Sequence, residues 1–190
     1  MAKLFFKYST MNAGKSIDLI TKNFNYLENG KKTLCFTSSK DNRYGENKIT
    51  SRIGLSIDAI PIFDNTNIFD IVKNEIDIAC VFIDESQFLN KEQIFQLSDI
   101  VDELNIPVIC YGLRSDFVMN LFEGSEYLMS ISDSIEEIKT ICFECKIKKA
   151  IINARISNGK IITKGNQVMI GGNDTYKPLC RKCYKKLKNI

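Results

Sequence analysis

The run Tyr8-Ser9-Thr10-Met11-Asn12-Ala13-Gly14-Lys15-Ser16 has the residue types of a phosphate cradle. A small-residue turn ending in Gly-Lys-Ser aims backbone N–H groups and a helix N-terminus at an anion. The lysine reaches the terminal phosphates, and the serine hydroxyl ligates Mg²⁺. Ser9 stands where the usual pattern has its first glycine. An ordinary strand turning into a helix, with a surface lysine, would read similarly, so a second signal is needed. Val81-Phe82-Ile83-Asp84-Glu85-Ser86-Gln87-Phe88 supplies it, because an apolar run ends on two acids. At the C-terminal end of a strand, Asp84 is placed to hold the water shell of Mg²⁺, while Glu85 points differently and is suited to act as a general base.

Two further features restrict the chemistry. The 190 residues contain no histidine, which excludes Ser-His-Asp and Cys-His catalysis and leaves proton abstraction to a carboxylate, Lys, Tyr or Cys. Cys142-x-x-Cys145 and Cys180-x-x-Cys183 are two ligand pairs with 34 residues between them. Each pair suits one side of a tetrahedral Zn²⁺, and four cysteine ligands leave no open position, so the expected metal is structural. Disulfides are the alternative, disfavoured in a reducing compartment. Cys35, Cys80 and Cys110 fall inside apolar runs and read as small core residues. Gly171-Gly172 permits close backbone approach to a ligand, and Tyr176 can stack or hydrogen-bond.

These residues need a scaffold, and the hydrophobic periodicity provides one. Strands are predicted at 3–8, 32–37, 78–83 and 108–111. Helices are predicted at 15–28, closed by Asn29-Gly30, at 67–74, and from an Asn90 cap to about Leu104. Residues 46–57 read as a loop, 135–142 as a further strand, and Asn158-Gly159 as a hairpin turn. Strands alternating with helices imply an α/β fold with a parallel sheet flanked by helices. The character changes after Ser134, giving an expected nucleotide-binding domain at 1–138 and a small zinc-binding domain at 139–190.

A hydrophobic content of 44% can fill a core. No run is long and apolar enough to span a membrane, and the opening residues lack a secretory pattern, so a cytoplasmic enzyme is expected. The net charge of +3 hides an asymmetry: from Cys142 onward 12 Lys/Arg face two acids, leaving 14 basic and 21 acidic residues before it. The basic part either attracts phosphates or nucleic acid or offsets the four thiolates as a solvated surface, and the second reading is preferred.

Taken with Asp41-Asn42-Arg43-Tyr44-Gly45, Ser51-Arg52-Ile53-Gly54-Leu55, Tyr111-Gly112-Leu113-Arg114-Ser115-Asp116-Phe117 and Cys180-Arg181-Lys182-Cys183-Tyr184, these motifs resemble the zinc-containing, RecA-like thymidine kinases nearly end to end. The resemblance implies ATP as phosphoryl donor, thymidine as acceptor, Mg²⁺ and structural Zn²⁺. It implies Glu85 as the catalytic base. Phosphate contacts are implied from Ser9, Thr10, Met11, Asn12, Ala13, Gly14, Lys15, Ser16 and Asp84, with Arg43 and Arg52 steadying the transferring phosphate unless they merely pair with surface acids. A lasso loop over the nucleoside is implied at about 160–176. The nucleoside site is implied at Met11, Gln87, Leu113, Phe117, Val168, Ile170, Gly171, Gly172 and Tyr176. Deoxyuridine as a weaker substrate, inhibition by dTTP, a homotetramer and no nucleic-acid partner are further implications. Two other classes remain in view. A nucleic-acid-stimulated P-loop ATPase would use the basic zinc region as its grip. A regulatory GTPase lacks support, because Asn90-Lys91-Glu92-Gln93 has no acid where guanine readout needs one.

Overall fold

The computed structural model describes residues 1–41, 45, 47–169 and 175–188. Strand β1 (Leu4–Ser9) runs into a turn and then helix α1 (Lys15–Glu28). Strand β2 (Lys32–Ser38) follows, then a two-stranded hairpin of β3 (Lys48–Thr50) and β4 (Ser56–Asp58), and the short β5 (Ile60–Ile62). Helix α2 (Ile68–Lys73), β6 (Ile78–Asp84), a 3₁₀ turn at Ser86–Phe88, α3 (Lys91–Leu104) and β7 (Val108–Leu113) continue the alternation. Helix α4 (Glu123–Ile131) and β8 (Ser134–Glu137) complete the main sheet. Strands β9 (Ile152–Ser157), β10 (Lys160–Ile161) and β11 (Tyr176–Leu179), with α5 (Arg181–Lys188), form a smaller unit.

The main sheet has six strands in the order β5-β2-β6-β7-β1-β8, with every pairing parallel. Successive side chains alternate between its faces. Leu4, Phe6, Val81, Ile83 and Val108 meet Ile68, Val72, Ile94, Leu97 and Leu128 of α2, α3 and α4 on one side. Cys80, Phe82, Ile109 and Tyr111 meet Leu19 and Ile20 of α1 on the other. Burial of each such apolar side chain contributes about 1.5–3 kcal/mol. A sheet covered on both faces explains why its strands read as continuous apolar runs. The expected α/β class with a parallel sheet is therefore the observed one.

Two local expectations are corrected, and two elements, β5 and α4, were not expected. The stretch 46–57, expected as a loop, contains β3 and most of β4, whose register pairs Lys48 with Asp58 and Ile49 with Ile57. Three-residue strands carrying one apolar residue each give no readable alternation. The strand expected at 135–142 ends at Glu137, because only Phe5–Tyr8 of β1 offer it partners. Strand β5 pairs with β2 as an edge and tolerates Pro61 there. Helix α4 had no sequence expectation, since Gly124 and Ser125 near its start weaken the helical signal.

Candidate active site

The turn after β1 forms by left-handed backbone at Asn12 (φ 64°) and Gly14 (φ 86°), and Gly14 heads α1 with no side chain to cap it. The first N–H groups of α1 thus face the cleft beside the turn, as anion binding requires. Lys15 Nζ donates to Ser9 Oγ at 3.2 Å, and Ser9 Oγ in turn donates to the Thr10 carbonyl at 2.6 Å. Across the sheet, β6 ends at buried Asp84, whose Oδ2 accepts from Ser16 Oγ at 3.1 Å. Burial pushes the Asp84 carboxyl up to about 7, and the neighbouring Glu85 charge adds to the rise while Lys15 opposes it. A buried carboxyl group beside a hydroxyl oxygen is the hard-oxygen donor set that a divalent cation suits.

Two pockets meet at Glu85. A cleft of about 420 Å³ is lined by Met11 to Ile17, Asp41, Lys48 to Arg52, Asp84, Glu85 and Leu113, within the size range of small-ligand sites. A narrow pocket of about 70 Å³ is lined by Met11, Glu85, Gln87, Phe88, Leu113, Phe117, Phe122, Asn153, Gln167, Val168, Met169 and Tyr176, among others. That volume lies well below the usual ~300–1,000 Å³ of ligand pockets. Glu85 itself has left-handed backbone (φ 51°, ψ 36°). Asp84 Oδ1 accepts its N–H at 2.9 Å, and Gln87 Nε2 donates to Glu85 Oε2 at 2.5 Å. Gln87 Oε1 accepts from the Leu113 N–H at 3.0 Å.

Of the residues expected at the phosphate site, Met11 to Ser16, Arg52 and Asp84 line the cleft. Ser9 and Thr10 are buried behind the turn and face a small cavity shared with Asn153. Met11, Gln87, Leu113, Phe117, Val168 and Tyr176 come together in the narrow pocket. Arg43, Ile170, Gly171 and Gly172 lie outside the described residues. Asn153 and Arg155, polar residues on β9, had no place in the sequence reading, yet both are buried at the site. Asn153 Oδ1 accepts the Met11 N–H at 2.7 Å, tying the smaller unit to the phosphate turn. Their signal was an Asn and an Arg alternating with Ile152, Ala154 and Ile156 inside an apolar strand.

The Sγ atoms of Cys142, Cys145, Cys180 and Cys183 all lie within 4.8 Å of one another, and Cys145 and Cys180 are 4.0 Å apart. Tetrahedral Zn–S bonds of about 2.3 Å require S···S separations close to these. Backbone N–H groups of Lys148 and Ile147 lower the Cys145 thiol to about 6, while burial pushes the Cys183 thiol up to about 12, so it is the sulfur geometry that marks the metal site.

The family model for thymidine kinase matches residues 2–184. This chain belongs to the thymidine kinase family. A thymidine kinase of Listeria monocytogenes is 54% identical, covering 97% of both chains. One of Lactiplantibacillus plantarum is 52% identical over 97% of this chain and 96% of its own length. One of Haemophilus influenzae is 50% identical over 97% of each. The family match spans the main sheet and all four clustered cysteines. Among the described residues, no helix is long and apolar enough to cross a membrane.

Proposed function

We propose that this chain transfers the γ-phosphoryl group of ATP to the 5′-hydroxyl of thymidine, giving dTMP and ADP. The observation that carries the reading is the position of Glu85, which lines both the phosphate cleft and the narrow apolar pocket. A base that serves transfer between two bound molecules belongs at such a junction. The turn N–H groups and Lys15 hold the donor phosphates. Glu85 takes the 5′-hydroxyl proton as that oxygen bonds to the γ-phosphorus and the bond to ADP breaks. Ser16 and Asp84 are the residues that would hold Mg²⁺, which neutralises charge on the phosphate oxygens. Arg52, on the cleft wall, and Arg43 steady the transferring group. Phosphoryl transfer depends mainly on positioning and charge, so the lack of histidine is no obstacle.

The nucleoside occupies the narrow pocket, with Met11, Leu113, Phe117 and Tyr176 as its apolar walls, Gln87 at its edge, and Val168 supplied to it by the lasso at about 160–176. Snug apolar walls reward the thymine methyl, which leaves deoxyuridine a weaker substrate by about 1–3 kcal/mol. The four cysteines hold one structural Zn²⁺, dividing the chain into a nucleotide-binding domain at 1–138 and a zinc domain at 139–190. A cytoplasmic homotetramer inhibited by dTTP, acting without nucleic acid, completes the reading.

The deciding experiment follows ADP release from Mg-ATP with each nucleoside in turn and with single-stranded DNA in parallel. Release that depends on thymidine, with dTMP recovered, is the expected result. Release driven by DNA and indifferent to thymidine would overturn the proposal in favour of an ATPase with a zinc ribbon.

A further inference from the structure

Arg155 is a guanidinium buried to 5% exposure in β9. It has no part in the ion pairs found among the described residues. Burying such a charge is costly unless other groups replace its water. Here the face of Phe117 does so, with Arg155 Cζ 3.8 Å from the ring centroid. The Tyr176 hydroxyl accepts from Nε at 3.0 Å and from Nη2 at 2.6 Å, and the Gln167 carbonyl accepts from Nη2 at 3.4 Å. The Tyr176 hydroxyl then donates its own proton to the Met169 carbonyl at 2.9 Å. One guanidinium thus connects the loop after β7, the start of β11 and the 167–169 segment.

Phe117, Gln167, Met169 and Tyr176 all line the narrow pocket, whereas Arg155 does not and opens instead onto the groove behind it. We propose that Arg155 is a positioning residue for the nucleoside, a wedge behind the pocket wall that sets the Phe117 and Tyr176 rings and latches the 167–169 segment across them. This deepens, and rests on, the assignment of the narrow pocket to thymidine. A hydroxyl has one proton and two acceptor lone pairs, and all three are engaged in the Tyr176 contacts above. Tyr176 therefore offers the substrate its ring and not its hydroxyl. The fork geometry is specific to arginine: lysine keeps the charge but has neither the planar stack on Phe117 nor the paired N–H donors.

The test uses the zinc-loaded full chain and compares wild type with Arg155→Met, Arg155→Lys and Tyr176→Phe. Loss of the wedge is expected to raise the thymidine KM about tenfold in both Arg155 variants and about threefold in Tyr176→Phe. The ATP KM should stay within about twofold, because the phosphate cleft does not contain the wedge. Thymidine should also protect the wild-type chain from tryptic cleavage at Lys160 and Lys164, with that protection lost in the variants. A thymidine KM within twofold of wild type in Arg155→Met, or a wild-type value in Arg155→Lys, overturns the proposal. An ATP KM that rises in parallel does so too, since it would mark general damage. Should the Arg155 variants fail to fold, an unchanged thymidine KM in Tyr176→Phe overturns it alone. Wild-type protein that does not phosphorylate thymidine strikes the functional reading itself, which separates the two failures.

Discussion

Glu85 occupies a backbone conformation that a side-chain-bearing residue adopts at some cost. The turn is held by its own N–H on Asp84 and by Gln87 on its carboxylate, so the local strain aims the carboxylate between the two pockets. Glu85→Gln keeps size and hydrogen bonding but cannot accept a proton. Its kcat is expected to fall about 10²–10⁴-fold, with ATP binding by equilibrium titration unchanged; retained turnover would remove Glu85 as the base. A second residue-scale prediction concerns Asp18, in the first turn of α1. Burial opposes its ionisation, but hydrogen bonds from Lys22 and Tyr111 and the Lys7 ammonium 3.7 Å away outweigh that and hold its carboxyl below the ordinary value of 3.8. A carboxylate lowered on folding stabilises the protein above its unfolded pKa, and that contribution is lost as pH falls through the folded value. The Tm gap between wild type and Asp18→Asn should therefore be constant from pH 7 to about pH 5 and close below about pH 4. A gap that stays constant into acid would show that Asp18 contributes packing alone. Sequence could single out Lys15, Ser16, Asp84 and Glu85 as candidates because the signals that mark them are local and their neighbours are fixed by the chain. It could not identify Asn153 or Arg155, since a polar residue on a short strand acquires meaning only from what lies across it.

At the scale of elements, Glu85, the proposed base, is positioned by two close approaches. A Cβ at Gly112 on β7 would lie 2.7 Å from Ser86 Oγ and 3.0 Å from Gln87 Oε1. A Cβ at Gly124 on α4 would lie 2.3 Å from the Ser86 carbonyl oxygen and 2.9 Å from that of Leu89. Both glycines let neighbours press on the 3₁₀ turn that follows Glu85, and Gly124 meets backbone that cannot swing aside. Gly124→Ala should cost about 1–3 kcal/mol in urea denaturation. It should also lower kcat, because the displaced turn carries Gln87 away from Glu85; wild-type stability and turnover would show that α4 does not set the turn. The same glycine explains why α4 was not legible in the sequence: the residue that permits the packing weakens the helical pattern. By contrast, α1 matched its predicted span and α3 its Asn90 cap, where Gln93 completes a reciprocal capping box. In both, the signals for starting and facing the core lie within a few residues of each other.

On the scale of the whole molecule, the smaller unit serves the larger through named contacts. Asn153 holds the Met11 N–H, Arg114 Nη2 donates to the Ile151 carbonyl at 3.4 Å, and Thr140 Oγ1 donates to the Asn12 carbonyl at 3.4 Å. The four thiols close the chain between Cys145 and Cys180, which contains both β9 and the segment over the narrow pocket. The spacing of the two cysteine pairs made that closure legible, whereas its attachment to the phosphate turn depends on contacts more than a hundred residues apart. Removing Zn²⁺, by chelation or by Cys180→Ser, should therefore do more than unfold a peripheral knot. The six-stranded sheet has its own core, and far-UV circular dichroism should retain most of its signal. Thymidine affinity should be lost first, because its walls at Phe117 and Tyr176 depend on β9 and β11. ATP affinity should weaken less, because the smaller unit touches the phosphate turn through the Asn153 bond to Met11 and the Thr140 bond to Asn12 but does not line the cleft. Metal analysis giving one zinc per chain, followed by thymidine and ATP titrations of zinc-free protein, checks the order. Equal loss of both affinities would mean that the metal supports the entire fold, and unchanged affinities would mean that the cysteine cluster has no part in holding the site.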